Sequence, residues 1–146
     1  MSAYVDSSFL VSSYITDAHS VRVDRCMAGS PVVGLTEFNR AELANAIFQQ
    51  VFLKRLTPAD AAHIWSDFKR DCADGVWTGV GFPSHAWETC ADLARRYGPT
   101  LGVRTLDSLH VACALELKAE RFWTFDDRQA RLAKAVGLDT SPEWPA

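Results

Sequence analysis

Four acidic residues stand where a folded chain could gather them. Asp6 closes the apolar run Ala3-Tyr4-Val5, Glu42 lies inside a long helical pattern, Asp107 falls in the first turn after Thr105, and Asp126 follows the strand-like run Arg121 to Phe125. Carboxylates drawn into one pocket repel each other unless a cation lies between them. Oxygen ligands select hard divalent ions such as Mg2+ or Mn2+, which keep several waters and bind phosphate oxygens. An ion of this kind orients and activates water and neutralises charge on phosphorus oxygens, so phosphodiester hydrolysis is the expected reaction class. Three of the acids also have plainer uses: Asp6 and Asp126 as N-caps, the latter with Gln129 three residues on, and Asp107 as complement to a helix dipole. Glu42 has none of these, because it sits mid-helix among Ala41, Leu43, Ala44 and Ala46.

The elements that must position these acids follow from the apolar spacing. Ala3 to Val5 reads as a strand that turns at Ser7-Ser8 into a helix through Phe9 to Ile15, followed by a helix over about 19–27 and a strand over 32–35. Residues 36–55 carry apolar positions at helical spacing, and Thr57-Pro58 restarts a helix to about Cys72, giving a helical hairpin. A short strand is expected within 76–80, a helix from Pro83-Ser84 to about Tyr97 ahead of Gly98-Pro99, and a helix capped by Thr105 to about 118. A strand over 121–125 and a helix from Asp126 to Val136, closed by Gly137, complete the pattern. Alternating strands and helices predict an α/β fold with a central parallel sheet covered on both faces. Ligands of such sheets gather at the carboxyl ends of the strands, where Asp6 and Asp126 lie.

The chain has 146 residues, 48% of them hydrophobic, which suits one domain over 1–140 with a loose Pro-containing tail over 141–146. The formal charge of -3 gives no basic footprint for nucleic acid, although a bound cation would cancel part of it locally. Arg104, Arg121, Arg128, Arg131 and Lys134 flank the two C-terminal acids and are candidates for a phosphate-binding rim, with a solvated helix face as the preferred reading of Arg131 and Lys134. Cys26, Cys72, Cys90 and Cys113 lack zinc-site spacing and read as reduced thiols of a cytoplasmic protein. Neither a signal peptide nor a membrane span of roughly 20 apolar residues is recognisable.

Tyr4-Val5-Asp6-Ser7-Ser8, Ala41 to Ala46 around Glu42, Leu106 to Ala112 around Asp107, and Thr124-Phe125-Asp126-Asp127-Arg128-Gln129 together resemble the PIN-domain family, specifically VapC-type toxins of toxin-antitoxin pairs. The four segments come in the family's order and span nearly the whole chain. The resemblance implies a three-layer α/β/α fold and a toxin endoribonuclease that hydrolyses RNA with a metal-activated water. It implies Asp6, Glu42, Asp107 and Asp126 as catalytic and Mg2+- or Mn2+-binding residues, a homodimer, and a small cognate antitoxin. It favours Glu42 over Glu37, and Asp126 over Asp127, which is left as a supporting ligand. Thr124 is a candidate hydrogen-bond partner of a metal ligand, and His110 neighbours Asp107 by helical spacing, though a core histidine is the more ordinary reading. Trp65 and Phe68 are candidates for an antitoxin groove. Two other readings stand beside the nuclease: a non-catalytic α/β protein-binding module that keeps the acids as caps, and a metal-dependent phosphatase acting on small substrates.

Overall fold

The computed structural model describes residues 1–142, so residues 143–146 of the expected tail lie outside the described residues. In chain order it contains β1 (Ala3–Val5), α1 (Ser7–Tyr14), α2 (Ser20–Met27), β2 (Val33–Leu35), α3 (Glu37–Phe52), α4 (Pro58–Ala73), β3 (Thr78–Gly79), α5 (Ala86–Leu101), α6 (Thr105–Glu116), β4 (Arg121–Trp123) and α7 (Asp127–Ala135). The four strands are all parallel in the order β3-β2-β1-β4, with Val5 opposite Trp123. Successive side chains of a strand point to opposite faces, and β1 shows how this builds the core. Ala3 and Val5 pack with Phe9, Leu10, Leu43, Ile47 and Phe68 of α1, α3 and α4. Tyr4 faces the other way, onto Cys90, Leu93, Leu109, Cys113 and Leu132 of α5, α6 and α7. Helices therefore cover both faces of a central parallel sheet, the α/β/α arrangement the sequence predicts, with α3 and α4 as the helical hairpin.

Element boundaries depart from expectation where backbone chemistry is hidden from sequence pattern. Helix α5 does not stop at Tyr97 but runs through Gly98-Pro99 to Leu101, and Gly102 closes it at φ 62°. A residue before proline avoids helical conformation mainly because its Cβ and N–H crowd the ring, and Gly98 has no Cβ. Helix α3 ends at Phe52, three residues early, because Lys54 adopts φ 58° and Arg55 and Lys54 donate to the carbonyls of Gln50 (2.9 Å) and Val51 (3.0 Å). That is the bonding of a Schellman stop with lysine in the position glycine usually fills. Thr105 is the first residue of α6 rather than its cap; Arg104 occupies the cap position. No helix among the described residues is long and apolar enough to cross a membrane. All four cysteines are free, and burial pushes the Cys26 thiol up to about 11 and the Cys113 thiol up to about 12, so both stay protonated at neutral pH.

Candidate active site

β1 and β4 lie side by side and point the same way, so the residues that follow them emerge together at one edge of the sheet. Asp6, next after β1, is 1% exposed, and its two oxygens are divided between two jobs. Oδ1 accepts from the Phe9 backbone N–H (3.1 Å), which caps α1, and from Ser8 Oγ (2.7 Å); Oδ2 accepts from Thr124 Oγ1 (2.8 Å). Thr124, next after β4, accepts in turn from the Asp126 backbone N–H at 2.9 Å. Thr124 therefore ties the two strand-end acids together, and Ser8 reinforces the tie by accepting from Phe125 N–H at 3.0 Å. Burial is the main cause that raises the Asp6 pKa above the ordinary carboxylate value, opposed by the bonds from Ser8, Thr124 and Phe9.

Asp126 caps α7 through the Gln129 backbone N–H at 3.0 Å. Asp107, also buried, accepts from the Arg104 backbone N–H (3.0 Å) and from Gln129 Nε2 (3.3 Å). The capping uses the sequence suggests are real, and they coexist with the gathering of the acids. Three helix N-termini, those of α1, α6 and α7, meet at this edge, and their partial positive charge suits a concentration of carboxylates.

Glu42 reaches the same place from α3, across the top of the sheet. Its Oε1 bonds to Nε2 of His110, whose Nδ1 lies 2.9 Å from Tyr4 Oη. Asn39 Nδ2 donates to Tyr4 Oη (3.3 Å) and to the Val5 carbonyl (3.0 Å). A neutral His110 protonated at Nε2 donates to Glu42 and accepts from Tyr4, which makes every bond of the chain Asn39–Tyr4–His110–Glu42 run in one direction. Burial raises the Tyr4 pKa far above its usual value, so the phenol stays a donor.

One cavity of about 520 Å³ is lined by Asp6, Glu42, Asp107 and Asp126 together with Ser7, Ser8, Arg104, Thr105, Leu106, His110 and Gln129. All four acids singled out from sequence are on its wall. Glu37 is not among its lining residues and borders a different cavity, and Asp127 is exposed and does not line it either. Of the five basic candidates only Arg104 is on the wall, with Nε 3.5 Å from Asp107 Oδ2, while Arg121 pairs with Asp139. His110, expected to be an ordinary core histidine, is buried and bonded to an acid of the cavity. Phe68 is 1% exposed, so it supports Trp65 from below rather than offering a surface. Sequence reasoning missed Asn39 altogether and saw Gln129 only as a capping partner. The spacing Thr36-x-x-Asn39 signals a capping box, which is present, but not the reach of that amide to β1.

Among the described residues no group of three or more His, Cys, Asp or Glu side chains is drawn together tightly enough to hold a bare ion. The donors still fit a hydrated hard cation. They are carboxylate oxygens around a space large enough for an ion's own waters, which Mg2+ sheds reluctantly. A buried carboxylate with a raised pKa, Asp6, is a group whose charge such an ion would relieve. Gln129 Oε1, buried without a hydrogen-bond partner beside Asp107, marks polar capacity that the protein alone does not fill.

A family model described as the PIN domain matches residues 3–135. Among solved structures, the crystal structure of VapC20 from Mycobacterium tuberculosis, described as a sarcin-ricin loop cleaving toxin, aligns with a TM-score of 0.67 at 17% identity, covering 94% of this chain and 96% of that one. At that identity the likeness speaks for the fold. No curated protein matches the chain in sequence.

Proposed function

Because this chain belongs to the PIN domain family, we propose that it is a VapC-type toxin, a Mg2+- or Mn2+-dependent endoribonuclease whose metal and catalytic residues are Asp6, Glu42, Asp107 and Asp126. The observation that carries the reading is that four carboxylates spread over 120 residues of sequence, 6 to 126, line a single cavity at the carboxyl edge of β1 and β4. A divalent cation supplies charge neutralisation at the phosphate and a more acidic water. The protein's part is to present and orient. Asp6 is held by three donors and Asp126 by the α7 backbone, so the protein itself fixes the direction of both. Glu42 is held by His110, and Gln129 joins the α6 and α7 acids. Arg104, exposed on the rim, is placed to meet a phosphate oxygen.

The comparison protein VapC20 is described as cleaving the sarcin-ricin loop, which makes an RNA of that loop the first substrate to try. We assign to the protein a cytoplasmic location, a homodimeric state and a small antitoxin. For the antitoxin, the exposed apolar end of α3 is the supporting surface, with Phe52 83% exposed beside Phe48 and Leu53. The deciding experiment incubates the purified protein with RNA and Mn2+, with EDTA and with the Asp6→Asn variant as controls. Cleavage lost in both controls supports the reading, and cleavage retained by Asp6→Asn overturns it. Turnover of nitrophenyl phosphate but not RNA would establish the phosphatase instead.

A further inference from the structure

A second cavity, of about 370 Å³, opens directly beside the acid pocket and shares Ser7, Ser8 and Asp126 with it. Its far wall is formed by Asp17, His19 and Phe125. That wall is the outer end of a ladder of nearly parallel rings. Trp123 stacks on Phe9 (5.6 Å, 23°), Phe9 on Phe125 (5.7 Å, 14°), and Phe125 on His19 (4.3 Å, 7°). The first two are buried and the last two half-buried, so the ladder climbs from the core to the cavity and stops at an imidazole. Another flat ring is what would continue it. His19 Nδ1 is buried with no hydrogen-bond partner among the described residues. The Asp17 carboxylate is exposed at the same wall and held in place by the His19 backbone N–H (2.8 Å) and by Ser12 Oγ (2.7 Å). A fixed carboxylate repels phosphate and accepts from N–H groups, so the ligand end that suits this cavity is a base and not the backbone.

We propose that this cavity is a nucleobase subsite, which holds the base of a nucleotide flanking the scissile phosphate, stacked on His19 with an N–H edge toward Asp17. The inference rests on the reading of the neighbouring pocket as an RNA-cleaving site, and it gives that site its sequence preference. Single-stranded RNA is read by this combination of an aromatic platform and a polar group at the base edge.

The test uses the full chain and a set of octaribonucleotides carrying 2-aminopurine at each position in turn, since stacking quenches this base. With EDTA present, the wild type should quench it at one position. His19→Ala should lose the quench and bind about 5- to 150-fold more weakly, the range that one base–aromatic stack supports, whereas His19→Phe should retain both. With Mn2+ present, His19→Ala should still cut, with the base preference beside the cut lost, and Asp17→Asn should relax that preference. Equal quenching and identical cut ends for wild type and His19→Ala would overturn the subsite while leaving the nuclease standing. Quenching by the wild type without any cleavage would keep the subsite and remove the nuclease reading.

Discussion

Replacement of Asn39 should unfold more of this protein than any surface count would suggest. Asn39 is fully buried, and its amide joins α3 to β1 one residue before Asp6. Oδ1 accepts from the Thr36 backbone N–H (2.9 Å) and from Thr36 Oγ1 (2.8 Å), while Nδ2 donates to the Val5 carbonyl (3.0 Å) and Tyr4 Oη (3.3 Å). In Asn39→Ala, half of the α3 capping box goes, because Oδ1 is the acceptor of the Thr36 N–H in it. The Val5 carbonyl and the Thr36 N–H each lose a buried partner, at about 1–3 kcal/mol apiece, and Tyr4 loses a donor but keeps its bond to His110. The sum, about 2–6 kcal/mol, is a large part of the 5–15 kcal/mol that usually holds a domain together. Urea denaturation followed by circular dichroism should show the midpoint falling accordingly with the slope unchanged. Asn39→Asp separates the causes: it keeps the acceptor that caps α3 but turns a carboxylate oxygen toward the Val5 carbonyl, so it should be no more stable than Asn39→Ala. A loss below about 1 kcal/mol in Asn39→Ala, set against the 1–3 kcal/mol expected for even one orphaned buried group, would refute this accounting. So would a wild-type-like Asn39→Asp.

Three further outcomes follow from the site. Asp6→Asn, besides ending cleavage, should raise the melting temperature at neutral pH in EDTA, since asparagine caps as well as aspartate and carries no charge to desolvate. The Asp6 pKa is raised in the fold by burial, so its ionisation weakens the native state above that value and the penalty disappears as pH falls toward the ordinary carboxylate range. The advantage of Asp6→Asn should therefore shrink between pH 7 and pH 4; an advantage that grows on acidification contradicts the burial argument. Gln129→Met removes a long bond to Asp107 (3.3 Å) together with an unpartnered acceptor, so thermal stability should barely move. Mn2+ affinity by calorimetry should meanwhile fall about 10- to 100-fold, as for other groups that orient metal ligands, and an unchanged affinity would remove Gln129 from the site. His110→Phe keeps a ring against Phe38 (4.5 Å) but strands Glu42 and Tyr4 Oη, and denaturation should register a loss of about 2–4 kcal/mol. A variant as stable as wild type would mean that these two groups find other partners.

How much of this was legible beforehand depends on the range of the interactions concerned. Asp6 and Asp126 could be placed at strand ends because an apolar run, a polar turn and a helix start are local signals, and parallel strands with helical crossovers must present those ends together. The same locality revealed their capping bonds, the hairpin of α3 and α4, and the stop of α7 at Gly137, which indeed has φ 89°. Lys54 and Gly98-Pro99 misled because each takes a conformation its residue type disfavours or escapes only through its neighbour. The sequence also supplied the four acid segments, in an order that resembles one family. What only the tertiary structure decided is which side chains meet between layers: Glu42 with His110, Gln129 with Asp107, and Asn39 with Tyr4 and Val5. A helix turns about 100° per residue, so its rotation against the sheet chooses which acid looks inward, and packing across the whole core sets that rotation. Strand ends are written in the order of residues, whereas partners across a sheet exist only once both layers have closed on it.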